Sequence, residues 1–237
     1  MYASGGYHLA RRLQAPVCRS PELLPSHVLS ASECISEFLP DCWAIEWSSE
    51  TGEERSTHAS HFGIAPQSLP AVISWATGEF CKSFGWPNVF YTLEAAREAR
   101  ARFIPGTPDV VLIGLGLHKS LVSQFLEDAQ PDAPKPGCAP VGETGVYQCV
   151  KSGQHPTSGG TPRGFEMLAT CYGLLTCSWL CNGLEKVCAE QLGIRPNPHG
   201  FVETFEDAMR CTNLIVLPET HAEPGLWLPW LITEYPA

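Results

Sequence analysis

Apolar residues in this chain follow two periods, and the change from one to the other sets out the expected elements. Helical spacing is clearest over residues 179–192, where Leu180, Leu184, Val187, Cys188 and Leu192 fall on one face and Glu185, Lys186, Glu190 and Gln191 take the other. Ser178 is placed to cap this helix, Gly193 to end it in a left-handed turn, and Pro196 and Pro198 to prevent its resumption. A second helix is expected over 66–85, with Val72, Ile73, Ala76, Phe80 and Phe84 inward, Ser68 as cap and Pro70 in the first turn. Thr92 caps a third over 93–103, and residues 118–129 form a fourth. Thr204 caps another over 203–211. Ser30-Ala31-Ser32-Glu33 has the form of a capping box opening a helix to Leu39, and a short helix is expected at 7–13.

Strand patterns fall between these helices. Residues 109–117 (DVVLIGLGL) are almost wholly apolar, as suits a central strand buried on both faces. Residues 42–47, 146–151, 165–172, 214–217 and 225–235 read as further strands, with 146–151 and 165–172 paired as a hairpin across the Gly-rich loop 152–164. Pro229 favours an edge position for the last strand, because proline cannot donate to a ladder. The expected fold class is α+β: a mixed, largely antiparallel sheet covered by several helices, in one domain over 1–237. The Pro- and Gly-rich loop 130–145 is the candidate subdomain boundary.

Composition narrows the functional classes. With 237 residues, 44% hydrophobic and 17% charged, the chain can bury a full core. Its net charge of −10 argues against nucleic acid and for a partner with a basic surface. No apolar stretch is long enough for a membrane helix. No secretory signal is read at the start, so the 11 cysteines are expected to be reduced and the location cytoplasmic.

Candidate chemistry starts with the cysteines. Cys171, Cys177, Cys181 and Cys188 crowd one stretch, and Cys177 and Cys181 sit at i, i+4. Paired Cys-x-x-Cys knuckles are absent, so these side chains are read as small buried hydrophobes, with no metal and no cofactor expected. His58 and His61 lack an identifiable third ligand, and Gly114 and Gly116 lack the rest of a nucleotide-binding fingerprint.

The leading expectation is an acidic protein-binding module of the immunity or antidote kind, with Trp227, Trp230, Tyr235 and Arg163 as contact residues. One alternative is a hydrolase using Cys177 or Glu166 with His155 or His199 as base, oriented by Glu166 or Asn182. The other is a small-molecule binder using the aromatic tail and the Gly-rich loop. Enzyme activity is not the favoured expectation, and the sequence specifies no oligomeric state.

Overall fold

The computed structural model describes residues 1–12, 29–39, 59–60, 62–85, 89–129, 144–171, 173–181 and 183–236. The expected strand at 42–47, the pair His58 and His61, Asn182 and most of the loop 130–145 lie outside these residues. In chain order the elements are β1 (Tyr2–Arg12), β2 (Ser36–Leu39), α1 (Leu69–Glu79), β3 (Phe84–Gly85), β4 (Val89–Phe90), α2 (Leu93–Phe103), β5 (Val111–His118), α3 (Val122–Asp128), α4 (Gly145–Ser152), β6 (Thr161–Cys171), β7 (Leu174–Ser178), α5 (Leu184–Leu192), α6 (Phe205–Ile215) and β8 (Leu226–Tyr235).

The strands make one eight-stranded sheet in the order β3-β4-β1-β5-β8-β6-β7, with β2 also paired to β1, and every ladder is antiparallel. This is the expected α+β class. Strand β5 is central and buried along most of its length, as its apolar run requires. The caps at Thr92 and Thr204 form as expected: their hydroxyls accept from Ala95 N–H at 3.2 Å and Asp207 N–H at 3.1 Å.

The sheet curls. Residues 30–35 lead directly into β2, which pairs with β1 on the side away from β5. Yet the same residues hydrogen-bond to β6 and β7, at the other margin of the sheet. The side-chain clusters follow this geometry. One cluster joins Ala10 and Phe38 of β1 and β2 to Leu168 and Leu175 of β6 and β7, filled by Phe125 of α3 and by Val146 and Val150 of α4. It occupies the concave side. Two separate clusters lie on the convex side, one against α1 and α2 and one against α5 and α6.

Several expected elements differ, and each difference has a physical cause. Residues 7–12 belong to strand β1 rather than a helix, because pairing to β5 outweighs a weak local pattern. A register shift lies at Ser4/Gly6, where Gly6 has φ +93° and packs so tightly on Val89 that a side chain has no room. Residues 146–151 form α4, not a strand. The Thr144 hydroxyl caps it by accepting from Tyr147 N–H at 3.2 Å, and Gly153 ends it with φ 69°. The expected hairpin goes with it, and β6 pairs with β8 and β7 instead.

The long helix expected from 179 begins only at Leu184, after Gly183 at φ 68°, and residues 179–181 form a turn that follows strand β7. Ser178 does accept from the N–H of Leu180 at 3.2 Å, but it closes a turn rather than a helix. Helix α1 stops at Glu79, so Phe84 belongs to β3, and residues 214–215 extend α6 rather than forming a strand. Strand β8 lies between β5 and β6, not at an edge. Pro229 is accommodated because it falls one residue beyond the last pair with β5, Leu117 with Trp230.

Candidate thiolate centre

The curl of the sheet creates a seam, and residues 30–35 wrap it. No helix forms at the expected capping box, because Ser30 has another partner. Its hydroxyl donates to Glu166 Oε1, and the N–H of Ala31 donates to Glu166 Oε2 at 3.0 Å. The turn then braces itself. Ser32 N–H donates to Ser30 Oγ at 2.9 Å, Ser30 N–H to Ser36 Oγ at 3.0 Å, and Cys34 N–H to Ser32 Oγ at 3.2 Å.

Glu166 is fully buried, and Ser178 adds a further hydrogen bond. Burial pushes its carboxyl up to about 7, against the opposing pull of the bonds from Ser30, Ser178 and Ala31. Strand alternation places Glu166 on the concave face with Leu168, facing Trp230 across the β6–β8 ladder.

On the convex side of the same seam lie three sulfurs. The Sγ atoms of Cys34, Cys177 and Cys181 all lie within 4.8 Å of one another. They come from the turn before β2, from β7, and from the turn after β7. Cys177 and Cys181 are buried, and Cys34 is partly buried. Cys34 Sγ also approaches the carbonyl of Thr176 at 3.6 Å, and Cys181 Sγ approaches Ser32 Oγ at 3.9 Å.

Hydrogen bonds from Cys177 and then Cys181, with a smaller one from Ser32, draw the Cys34 thiol well below the usual thiol range, against the effect of burial. Hydrogen bonds with Cys177 and then Cys34, together with burial, hold the Cys181 thiol high. Cys34 is the least buried of the three sulfurs. A metal–sulfur bond of about 2.3 Å places two sulfurs on one trigonal ion about 4 Å apart, within a small side-chain adjustment of the spacing here.

The sequence-derived candidates are dispersed. Cys177 is in the centre described, but it meets Cys181 through a strand and a turn rather than along one helical face. Cys34 was missed, because 143 residues separate it from Cys177. Its only local signal is its place in a serine-rich turn. Cys188 and Cys211 form a separate thiol–thiol contact between α5 and α6.

His155 Nδ1 bonds to the Tyr2 carbonyl at 2.9 Å, and His199 Nε2 lies 3.5 Å from Arg163 Nη1. Arg163 is itself paired to Glu234 at 2.7 Å.

Trp227, Trp230 and Tyr235 are only 2%, 0% and 3% exposed and lie in three different clusters. They build the core and do not present an aromatic surface. The Gly-rich loop is stapled down. Thr157 Oγ1 lies 2.7 Å from the Tyr7 hydroxyl, and the Thr157 carbonyl accepts from the Tyr235 hydroxyl at 2.7 Å. A pocket lined by His8, Phe38, Val146 and Leu175 has room for about one water molecule. Among the described residues no helix is long and apolar enough to cross a membrane. Compared with known protein families, curated proteins and solved structures, the chain matches none.

Proposed function

We propose that this protein binds a soft metal ion through Cys34, Cys177 and Cys181. The observation that carries this is the convergence of three sulfurs from three separate segments to within 4.8 Å. Isolated core cysteines have no reason to meet in threes, whereas thiolates that share one ion must. A polar turn built from buried serines, on an acidic seam residue, holds the exposed corner in place.

The test is titration of the reduced, full-length protein with Cd(II), followed by the ultraviolet thiolate-to-metal charge-transfer absorption. One equivalent is expected to saturate the band. Cys34→Ser, Cys177→Ser and Cys181→Ser are each expected to weaken binding by at least an order of magnitude. Cys171→Ser, at an exposed position away from the centre, leaves it unchanged. A band that survives all three substitutions, or no band at all, refutes the proposal.

A second reading, an acidic module that binds a basic protein, rests on the net charge of −10 and on one exposed apolar step. Val216 and Leu217 follow α6 with 54% and 42% exposure, and Glu219 and Glu223 are exposed beyond them. A basic partner would pair with the acids while the apolar step is covered. That complex should form at low salt, dissociate at high salt and be lost in Leu217→Asp. Its absence at low salt counts against this reading.

A further inference from the structure

We propose that Cys34 is the site of a reversible oxidation, in which a peroxide joins it to Cys177 as a disulfide and so closes the centre to metal. The disulfide stands on the geometry of the sulfurs; its effect on metal binding rests on the reading above.

Position selects the pair. The Sγ atoms of Cys34, Cys177 and Cys181 lie within 4.8 Å of one another, and a disulfide brings two of them to about 2.05 Å. Cys34 sits in the turn before β2, while Cys177 is fixed in β7, opposite Ala169 of β6. The movement therefore falls to the cysteine rotamers and to the turn, and leaves the sheet in place. Cys34 Sγ lies 3.6 Å from the Thr176 carbonyl, the oxygen of the peptide unit that leads into Cys177. Cys181 Sγ faces Ser32 Oγ at 3.9 Å instead.

Exposure selects the first thiol to react. Cys177 and Cys181 are 7% and 4% exposed, and Cys34 is only partly buried. Of the three, Cys34 offers the approach from solvent. Its thiol is also drawn low by Cys177 and Cys181. Oxidation follows thiolate character and exposure, and a neighbouring cysteine resolves the product. In the first step the Cys34 sulfur bonds to one peroxide oxygen, the O–O bond breaks and water leaves, giving a sulfenic acid. In the second, the Cys177 sulfur bonds to the Cys34 sulfur. The S–O bond breaks, its oxygen takes up the Cys177 proton, and a second water leaves. The two sulfurs are oxidised to the disulfide and the peroxide is reduced to water; a dithiol reverses the change by thiol–disulfide exchange. The disulfide withdraws two of the three sulfurs from an ion, and a bound ion in turn holds both of them back from oxidation.

The experiment uses the full-length protein, reduced and metal-free, treated with one equivalent of hydrogen peroxide. The intact mass should fall by two hydrogens, a digest should contain Cys34 and Cys177 in one cross-linked peptide, and dithiothreitol should restore the starting mass. Cys177→Ser should hold the sulfenic acid at Cys34, trapped there as a dimedone adduct. Cys34→Ser should slow disulfide formation by at least an order of magnitude. Circular dichroism checks that the variants are folded; the wild-type peptide map stands without them. The cross-linked protein should bind Cd(II) at least an order of magnitude more weakly than the reduced one, and Cd(II) added first should slow the oxidation. A disulfide between Cys177 and Cys181, no disulfide with Cys34 unmodified, or an unchanged Cd(II) affinity in the cross-linked protein overturns the inference. If Cd(II) binds the reduced protein but the Cys34–Cys177 disulfide does not form, this inference alone fails. If the disulfide forms but the reduced protein binds no Cd(II), the metal-binding reading fails and the oxidation site stands.

Discussion

Glu166 is a carboxylic acid surrounded by donors, and its placement makes the protein's stability depend on pH. Burial holds its folded-state pKa at about 7, above its ordinary value of 4.5. Between those values the folded protein keeps a proton that the unfolded chain has released. The Glu166 contribution to stability is therefore fully present below pH 4.5 and lost as pH rises through 7. The shift corresponds to about 3 kcal/mol. Glu166→Gln cannot titrate, so its stability should lack this component. Urea unfolding at pH 5 and pH 8 checks this: the wild type should lose more stability than the variant as pH rises, and equal losses would show that Glu166 does not titrate in this range. Neither the carboxyl's burial nor its partners could be read locally, since Ser30 lies 136 residues away. The sequence marked Glu166 only as a candidate hydrolase carboxylate.

At the scale of elements, caps proved stronger than apolar patterns. Residues 146–151 are as compatible with period two as with helical spacing, because a stretch that short cannot discriminate. Thr144 and Gly153 decide it by closing the two ends of α4. The Thr144 hydroxyl accepts from Tyr147 N–H and donates to the Gly173 carbonyl at 2.9 Å, so it also ties the helix to the turn before β7. Thr144→Val should cost about 1–2 kcal/mol, read as a lower urea midpoint; no change would mean that the cap contributes nothing. The turn at 30–35 shows the opposite case. Its capping-box sequence was sound as local chemistry, but Ser30 found a carboxylate across the sheet and the helix did not form.

For the whole molecule, β8 is the strand that unites the sheet. It pairs with β5 on one side and β6 on the other, and it contributes Trp227, Trp230 and Tyr235 to all three clusters. Removal of residues 225–237 would leave β5 and β6 without their shared partner and uncover the concave core. The truncated chain should show no cooperative unfolding transition, measured by circular dichroism against urea. A cooperative transition near that of the full chain would mean that the two halves of the sheet are stable apart. Soft-metal binding should be lost with it, because β6 and β7 would no longer be held against the turn that carries Cys34.

What the sequence determined by itself was local. It set the α+β class, the buried central strand at 109–117, the helices capped by Thr92 and Thr204, and the glycine that ends α5. These follow from residue period, caps and backbone freedom, which act within a few residues of chain. Tertiary structure alone decided that the sheet curls and that β8 lies within it. It also decided that Glu166 is buried against Ser30, and that Cys34 joins Cys177 and Cys181. Each of these is a contact across the chain between groups whose local surroundings carry no mark of the other. Only once the strands pair and the concave core closes does the free energy of burial select one such meeting over the alternatives.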